Sequence, residues 1–161
     1  MTKTEAHSPS ILVIDDQEGI RKSFSAVLEK EGYEVDAVAT GQEAIKRTKS
    51  RFYNLALVDL RLPDMDGIEL LTKMRETTPK MVKIIITGYP SIKNAIAAVN
   101  RGADGYIVKP FTMKDALKMI KEHLRKQQEA VKYSEKKVTE FIETRAEEYE
   151  SKATTRHRSK K

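Results

Sequence analysis

Short apolar runs alternate along this chain with stretches whose apolar residues recur every three or four positions. The runs occupy 11–14, 55–58, 83–86 and 106–108. Rich in β-branched residues and bounded by turn formers, they read as buried strands. Residues 33–38 differ, because apolar positions there alternate with Glu34 and Asp36, which marks a strand at a sheet edge. Between the runs lie helical stripes. Ile20, Phe24, Val27 and Leu28 share one face, with Gly32 placed to stop that helix. Thr40 and Glu43 form a capping-box pattern ahead of Ala44 and Ile45. Asp66 can cap a third helix with Ile68, Leu71 and Met74 inward and Pro79 beyond it. Ser91 can cap a fourth, with Ile92, Ala95, Ile96 and Val99 inward and Gly102 after it, and Thr112 with Asp115 opens a fifth.

Five strand–helix alternations predict an α/β, doubly wound parallel sheet. The edge character of the second strand and right-handed crossovers predict the order 2-1-3-4-5. After Pro110 the chain contains neither Gly nor Pro, so nothing should interrupt a helix from 113 to about 151. At about 1.5 Å per residue such a helix would be roughly 58 Å long. A sheet of five-residue strands covers only its first turns, and the remainder is expected to project.

Composition changes this picture little. The 161 residues are 39% hydrophobic and 34% charged, enough for one core with a well-solvated surface. There is no cysteine, which removes disulfides and thiolate metal sites from consideration. No apolar stretch approaches the roughly 20 residues that span a bilayer, and the first ten residues lack the apolar centre of a secretion signal. A cytoplasmic protein with no membrane partner is the expectation. The net charge of +6 is uneven: residues 1–111 carry 16 basic against 15 acidic side chains, and residues 112–161 carry 14 against 9. The basic excess therefore belongs to the C-terminal part.

The candidate chemistry sits where the strands end. The run at 11–14 meets Asp15 and Asp16, that at 55–58 meets Asp59, that at 83–86 meets Thr87, and that at 106–108 meets Lys109. In an open parallel sheet the strand carboxyl ends line the ligand crevice. Any one of these residues alone would be a turn or cap residue; five of complementary type on one rim point to a site. Three close carboxylates repel one another unless a cation intervenes, and Mg²⁺, which takes a few oxygen ligands and keeps its waters, suits them. Lys109 could then share an anion such as phosphate with the metal. Carboxylates can form aspartyl phosphates, and phosphoryl transfer needs mainly positioning and charge neutralisation.

The motifs Ile-Asp15-Asp16, Leu-Val-Asp59-Leu-Arg-Leu-Pro63-Asp-Met-Asp-Gly67, Ile-Thr87-Gly and Tyr106-Ile-Val-Lys109-Pro110 resemble receiver domains of two-component response regulators. The resemblance covers about 9–125 and is similar above all to receivers of nitrogen-regulation-type activators. It implies a flavodoxin-like sheet and a phosphorylation-controlled switch. It implies that Asp59 accepts a phosphoryl group from a histidine kinase or phosphotransfer protein. Asp16, Asp59 and the backbone carbonyl of Arg61 would bind Mg²⁺ directly, with Asp15 helping through water. Lys109 and Thr87 would meet the phosphoryl oxygens and Tyr106 would be the aromatic switch residue. The bond before Pro110 would be cis. Arg61 and Tyr89 would tune phosphoryl lifetime, and the responsive surface would be the fourth helix, fifth strand and start of the fifth helix.

Other functions fit less well. A haloacid-dehalogenase-like phosphatase would want an acid two residues after the nucleophile, where this chain has Arg61. Neither a phosphate-binding ATPase loop nor a Gly-marked helix-turn-helix follows residue 110, so no ATPase or DNA-binding output unit is read in this chain and the output partner stays open. The basic run Arg156, Arg158, Lys160, Lys161 is short and lacks a reading helix, so nucleic acid is not an expected partner. His7, His123 and His157 are scattered and read as surface residues. The expected organisation is a disordered stretch at 1–8, a receiver at 9–125, a helical extension at 126–151 and a basic flexible tail at 152–161. Leu124, Val131, Val138 and Phe141 offer a thin heptad seam, for which a parallel homodimer, a lone charged helix and a helix that folds on a partner are three open readings.

Overall fold

The computed structural model describes residues 7–158. Residues 1–6 of the expected disordered stretch and residues 159–161 of the expected tail lie outside the described residues. Five parallel strands form one sheet in the order β2-β1-β3-β4-β5: β1 (Ser10–Ile14), β2 (Glu34–Val38), β3 (Leu55–Asp59), β4 (Val82–Thr87) and β5 (Gly105–Val108). Helices α1 (Glu18–Lys30), α2 (Gly41–Ser50), α3 (Gly67–Lys73) and α4 (Ile92–Asn100) alternate with them, and α5 (Met113–Arg158) follows β5. The architecture is the doubly wound, flavodoxin-like one expected.

Burial explains the order. Every residue of β1, β3 and β4 is buried, as continuous apolar strands in the middle of a covered sheet must be. Strand β2 lies at one edge, where Arg51 pairs with the exposed Glu34 at 2.6 Å and the half-buried Asp36 at 2.9 Å. The period-two alternation splits the core. Leu12, Ile14, Ala56, Val58 and Ile85 face Ala44, Leu70, Leu71 and Ala98. Ile11, Val13, Leu55, Leu57, Ile84 and Ile86 face Phe24, Leu28, Ala116 and Ile120.

The predicted caps form. Thr40 accepts from the Glu43 amide, Asp66 from Ile68, Ser91 from Asn94 and Thr112 from Asp115. Gly32 and Gly102 follow α1 and α4 with φ of 91° and 96°, the left-handed geometry of a glycine stop. The Lys109–Pro110 bond is cis, as is Thr78–Pro79.

Three expectations need correction. Helix α4 turns Ala98 inward, fully buried, with Ala97 packed beside it, and leaves Ile92 80%, Ile96 56% and Val99 69% exposed. The small side chains of Ala97 and Ala98 allow close packing of the helix there, so the spacing of the larger residues was the wrong guide to the inner face. Leu124, read as the first seam position, is buried in the core with Phe24, Leu28 and Ile120. Helix α5 continues to Arg158, so residues 152–158 are helical where a flexible tail was expected. No Gly or Pro interrupts them, and the Thr154 and Thr155 hydroxyls bond to carbonyls one turn back. The chain divides into two compact units at Arg125 and Lys126. In the second, Val138 and Phe141 are exposed and Val131 is half-buried.

Candidate functional site

Each candidate residue stands at the carboxyl end of a strand, because the chain leaves the sheet there to enter a loop. Asp15 and Asp16 follow β1, Asp59 and Thr87 close β3 and β4, and Lys109 follows β5. The parallel register aligns these ends, with Ile14 beside Val58, Asp59 beside Ile86 and Thr87 beside Val108. Carboxylate oxygens of Asp15, Asp16 and Asp59 come within 4.8 Å of one another. The Lys109 ammonium lies 3.8 Å from Asp15 Oδ2 and 4.0 Å from Asp59 Oδ2. The structure thus gathers all five strand-end residues on one rim.

Local backbone geometry aims the acids. The Gln17 amide donates to Asp15 Oδ1 at 2.9 Å, and the Arg61 amide donates to Asp59 Oδ1 at 3.2 Å. The Gly67 amide donates to the Leu60 carbonyl at 2.7 Å. A Cβ on Gly67 would lie 2.3 Å from the Asp59 carbonyl oxygen, so only glycine lets α3 start this close to the acid-bearing strand. Thr87 Oγ1 accepts from the Tyr89 amide at 2.9 Å, leaving its own proton free to donate.

The electrostatics favour a cation. Burial first, and then the neighbouring Asp15 charge, push the Asp59 carboxyl from its ordinary 3.8 up to about 6, against the opposing pull of the Arg61 amide and Lys109. Burial raises Asp15 as well. Asp15 Oδ2 is buried with no hydrogen-bond partner, an expensive state for a carboxylate. With all groups ionised, three negative charges face one ammonium. The donor set is all oxygen and partly exposed through Asp16, which fits a hard divalent ion that keeps some of its water. These three residues could hold one.

Several contacts had no sequence signal. Arg21 Nη1 donates to the Asp15 carbonyl at 2.9 Å. The Arg61 guanidinium lies 3.7 Å from the centroid of the Tyr89 ring, a stacked cation–π pair between residues 28 positions apart. Tyr106 is half-buried against the core, and its hydroxyl is buried without a partner. Asp64, in the loop after β3, accepts with both of its oxygens from the first amides of α2.

A sheet of this order with an acid cluster, a hydroxyl and a lysine on its carboxyl rim defines a class of phosphoacceptor signalling domains. The response regulator receiver domain family matches residues 11–121, and the chain belongs to that family, whose members serve phosphorylation-controlled two-component signalling. It is similar to a CheY-like receiver domain protein from Methanospirillum hungatei, with 44% identity and a TM-score of 0.74 over 77% of this chain and 99% of that one. A response regulator from Burkholderia pseudomallei, described with a phosphorylated aspartic acid and a calcium ion, shows 29% identity and a TM-score of 0.64 over 76% of this chain and 72% of that one. Transcriptional regulatory protein SrrA of Staphylococcus aureus is 36% identical over 137 residues, 84% of this chain and 56% of SrrA. The chain thus spans little more than half the length of the curated relatives it matches. Among the described residues, no helix is long and apolar enough to cross a membrane.

Proposed function

We propose that Asp59 accepts a phosphoryl group from the phosphohistidine of a sensor kinase or phosphotransfer protein in the cytoplasm. The observation that carries this reading is the buried Asp59 carboxylate, within 4.8 Å of the Asp15 and Asp16 oxygens and 4.0 Å from Lys109. An Asp59 oxygen attacks phosphorus, the phosphorus–nitrogen bond breaks, and the electron pair leaves with the donor imidazole, which takes up a proton. Mg²⁺, when bound by Asp16, Asp59 and the Arg61 carbonyl with Asp15 acting through water, would neutralise the phosphoryl oxygens. The Lys109 ammonium supplies the remaining positive charge, and the cis Pro110 follows it directly. The Burkholderia relative's phosphorylated aspartate supports the same chemistry here.

The phosphoryl oxygens then compete for Thr87. Its hydroxyl donates to one of them, and Tyr106, whose own hydroxyl has no partner to lose, fills the space vacated. A hydrogen bond to a charged group is worth about 1.5–3 kcal/mol, or roughly a ten- to hundredfold shift in a two-state equilibrium. The responsive surface is α4, β5 and the start of α5, where Ile92, Ile96, Val99 and Val108 stand exposed. Arg61 and Tyr89, stacked near Asp59, govern access of water to the acyl phosphate and so its spontaneous loss. The receiver occupies residues 9–125, and a helical extension continues its fifth helix beyond that. There Val131, Val138 and Phe141, joined by the exposed Ile142, form the seam of a parallel homodimer.

Phosphate transfer from acetyl phosphate in Mg²⁺ tests the assignment. Acid-labile label should enter the wild-type chain and be absent from Asp59→Asn, and undiminished labelling of that variant refutes the reading.

A further inference from the structure

The loop between β3 and α3 carries the Arg61 carbonyl, and it is fastened at two places. Its base is held by the Arg61–Asp66 bridge and by the Gly67 amide on the Leu60 carbonyl. Its tip is fastened to the start of α2, 22 and 23 residues earlier. Asp64 Oδ1 accepts from the Gly41 amide and Oδ2 from the Gln42 amide, each at 2.9 Å. These are the first two amides of α2. The next, Glu43, is already satisfied by Thr40, and the Glu43 carboxylate turns back to the Ala39 amide at 3.1 Å. The donors of this helix end are therefore divided between a local cap and a distant one.

Next to Asp64, Met65 packs on the same junction. A Cβ on Gly41 would lie 2.4 Å from Met65 Sδ, so any side chain there displaces the flexible end of Met65 from the junction. The approach to α2 is fixed in turn, because the Asp15 amide donates to the Val38 carbonyl at 3.1 Å. Asp15, Val38, Gly41, Asp64 and Arg61 thus lie along one run of covalent and hydrogen-bonded links, which the β1–β3 pairing of Ile14 with Val58 closes. One arm carries the acids that follow β1, and the other carries the Arg61 carbonyl.

We propose that Asp64 is a positioning residue for the metal site: its two bonds to the start of α2 set the separation between the Asp15–Asp16 loop and the Arg61 carbonyl. This rests on the assignment of Mg²⁺ to those groups made above. Geometry of this kind acts on metal affinity, because an ion that demands near-octahedral oxygens tolerates little displacement. Asp64 itself is exposed and contributes nothing to the core, so its removal spares the fold.

The test is the Mg²⁺ dissociation constant of the whole chain, measured by calorimetry for wild type, Asp64→Ala, Asp64→Asn and Gly41→Ala. Asp64→Ala should weaken binding about tenfold, the lower end of what supporting partners of metal ligands contribute, and Asp64→Asn, which keeps one acceptor, should fall between. Gly41→Ala, which pushes Met65 off the same junction, should weaken binding similarly. The double variant should lose less than the two losses combined, since both break one clamp. A positioning role also predicts that saturating Mg²⁺ restores the full rate of labelling by acetyl phosphate, whereas a merely structural role would lower that maximum and leave the half-saturating Mg²⁺ unchanged. Unchanged affinity in Asp64→Ala and Gly41→Ala, with Asp59→Asn weakened as a control, overturns this inference alone. Failure of the wild-type chain to bind Mg²⁺ overturns both this inference and the site assignment beneath it.

Discussion

Replacing Asp59 with Asn should stabilise the ion-free protein while destroying its proposed chemistry. Burial and the Asp15 charge push the Asp59 carboxyl from 3.8 to about 6. At about 1.4 kcal/mol per pKa unit, holding it ionised at neutral pH costs the fold on the order of 3 kcal/mol. Asparagine keeps the shape, and its carbonyl oxygen can still accept from the Arg61 amide, but it carries no charge. The folded-state pKa is raised, so the wild-type stability at stake is fully present below pH 3.8 and is lost as pH rises through about 6. The advantage of Asp59→Asn should therefore be absent near pH 4, grow between pH 4 and 6, and reach its full size of at most about 3 kcal/mol at pH 7.5. Urea unfolding in EDTA, followed by circular dichroism because the chain has no Trp, reads this directly as a shift in midpoint at constant slope. Mg²⁺ at a hundredfold excess over its dissociation constant should return about 2.7 kcal/mol to the wild type and erase most of the difference. A variant no more stable than wild type at pH 7.5 in EDTA, or an advantage independent of pH, would refute the electrostatic account of the cluster.

Three further outcomes follow from the same geometry. Lys109→Ala removes the ammonium that opposes the raised Asp59 carboxyl, so Mg²⁺ should bind more tightly and release more protons near pH 6; calorimetry in two buffers of different ionisation enthalpy measures both. Gly67→Ala places a methyl 2.3 Å from the Asp59 carbonyl oxygen and should cost about 1–3 kcal/mol as an overpacked contact, with labelling of Asp59 slowed, whereas Gly19→Ala, which meets nothing within 4 Å, should leave labelling unchanged. Phe141→Glu, in a side chain 60% exposed, should leave acetyl phosphate labelling intact and abolish any dimer seen by sedimentation; persistence of the dimer would place its interface elsewhere.

Much of the fold was legible because its signals are local. The continuous apolar runs mark β1, β3 and β4 as central, the alternation of Glu34 and Asp36 marks β2 as an edge, and Gly32, Thr40, Asp66, Ser91 and Gly102 punctuate the helices where expected. Helix α4 differs from the expectation because the adjacent Ala97 and Ala98 face inward in place of Ile92, Ile96 and Val99, and the space available against the sheet decides which face packs. Leu124 was misassigned for a related reason: a heptad position does not reveal where the sheet stops covering a helix. The expected end of α5 near 151 falls short of Arg158, although no Gly or Pro breaks the helix there.

The primary structure by itself placed an acid, hydroxyl or lysine at the end of each of four strands, and the parallel direction of those strands then determined that these residues would gather on one rim. It could say nothing of Asp64 on the start of α2, Arg61 over Tyr89 or Arg21 on the Asp15 carbonyl, because each joins elements whose separation in the chain carries no period. Nor could it say that Asp59 titrates near 6, since that value comes from burial and from a second carboxylate 44 positions away. Periodicity and capping are properties of neighbours along the chain, whereas desolvation and long-range hydrogen bonds exist only once the chain has closed on itself.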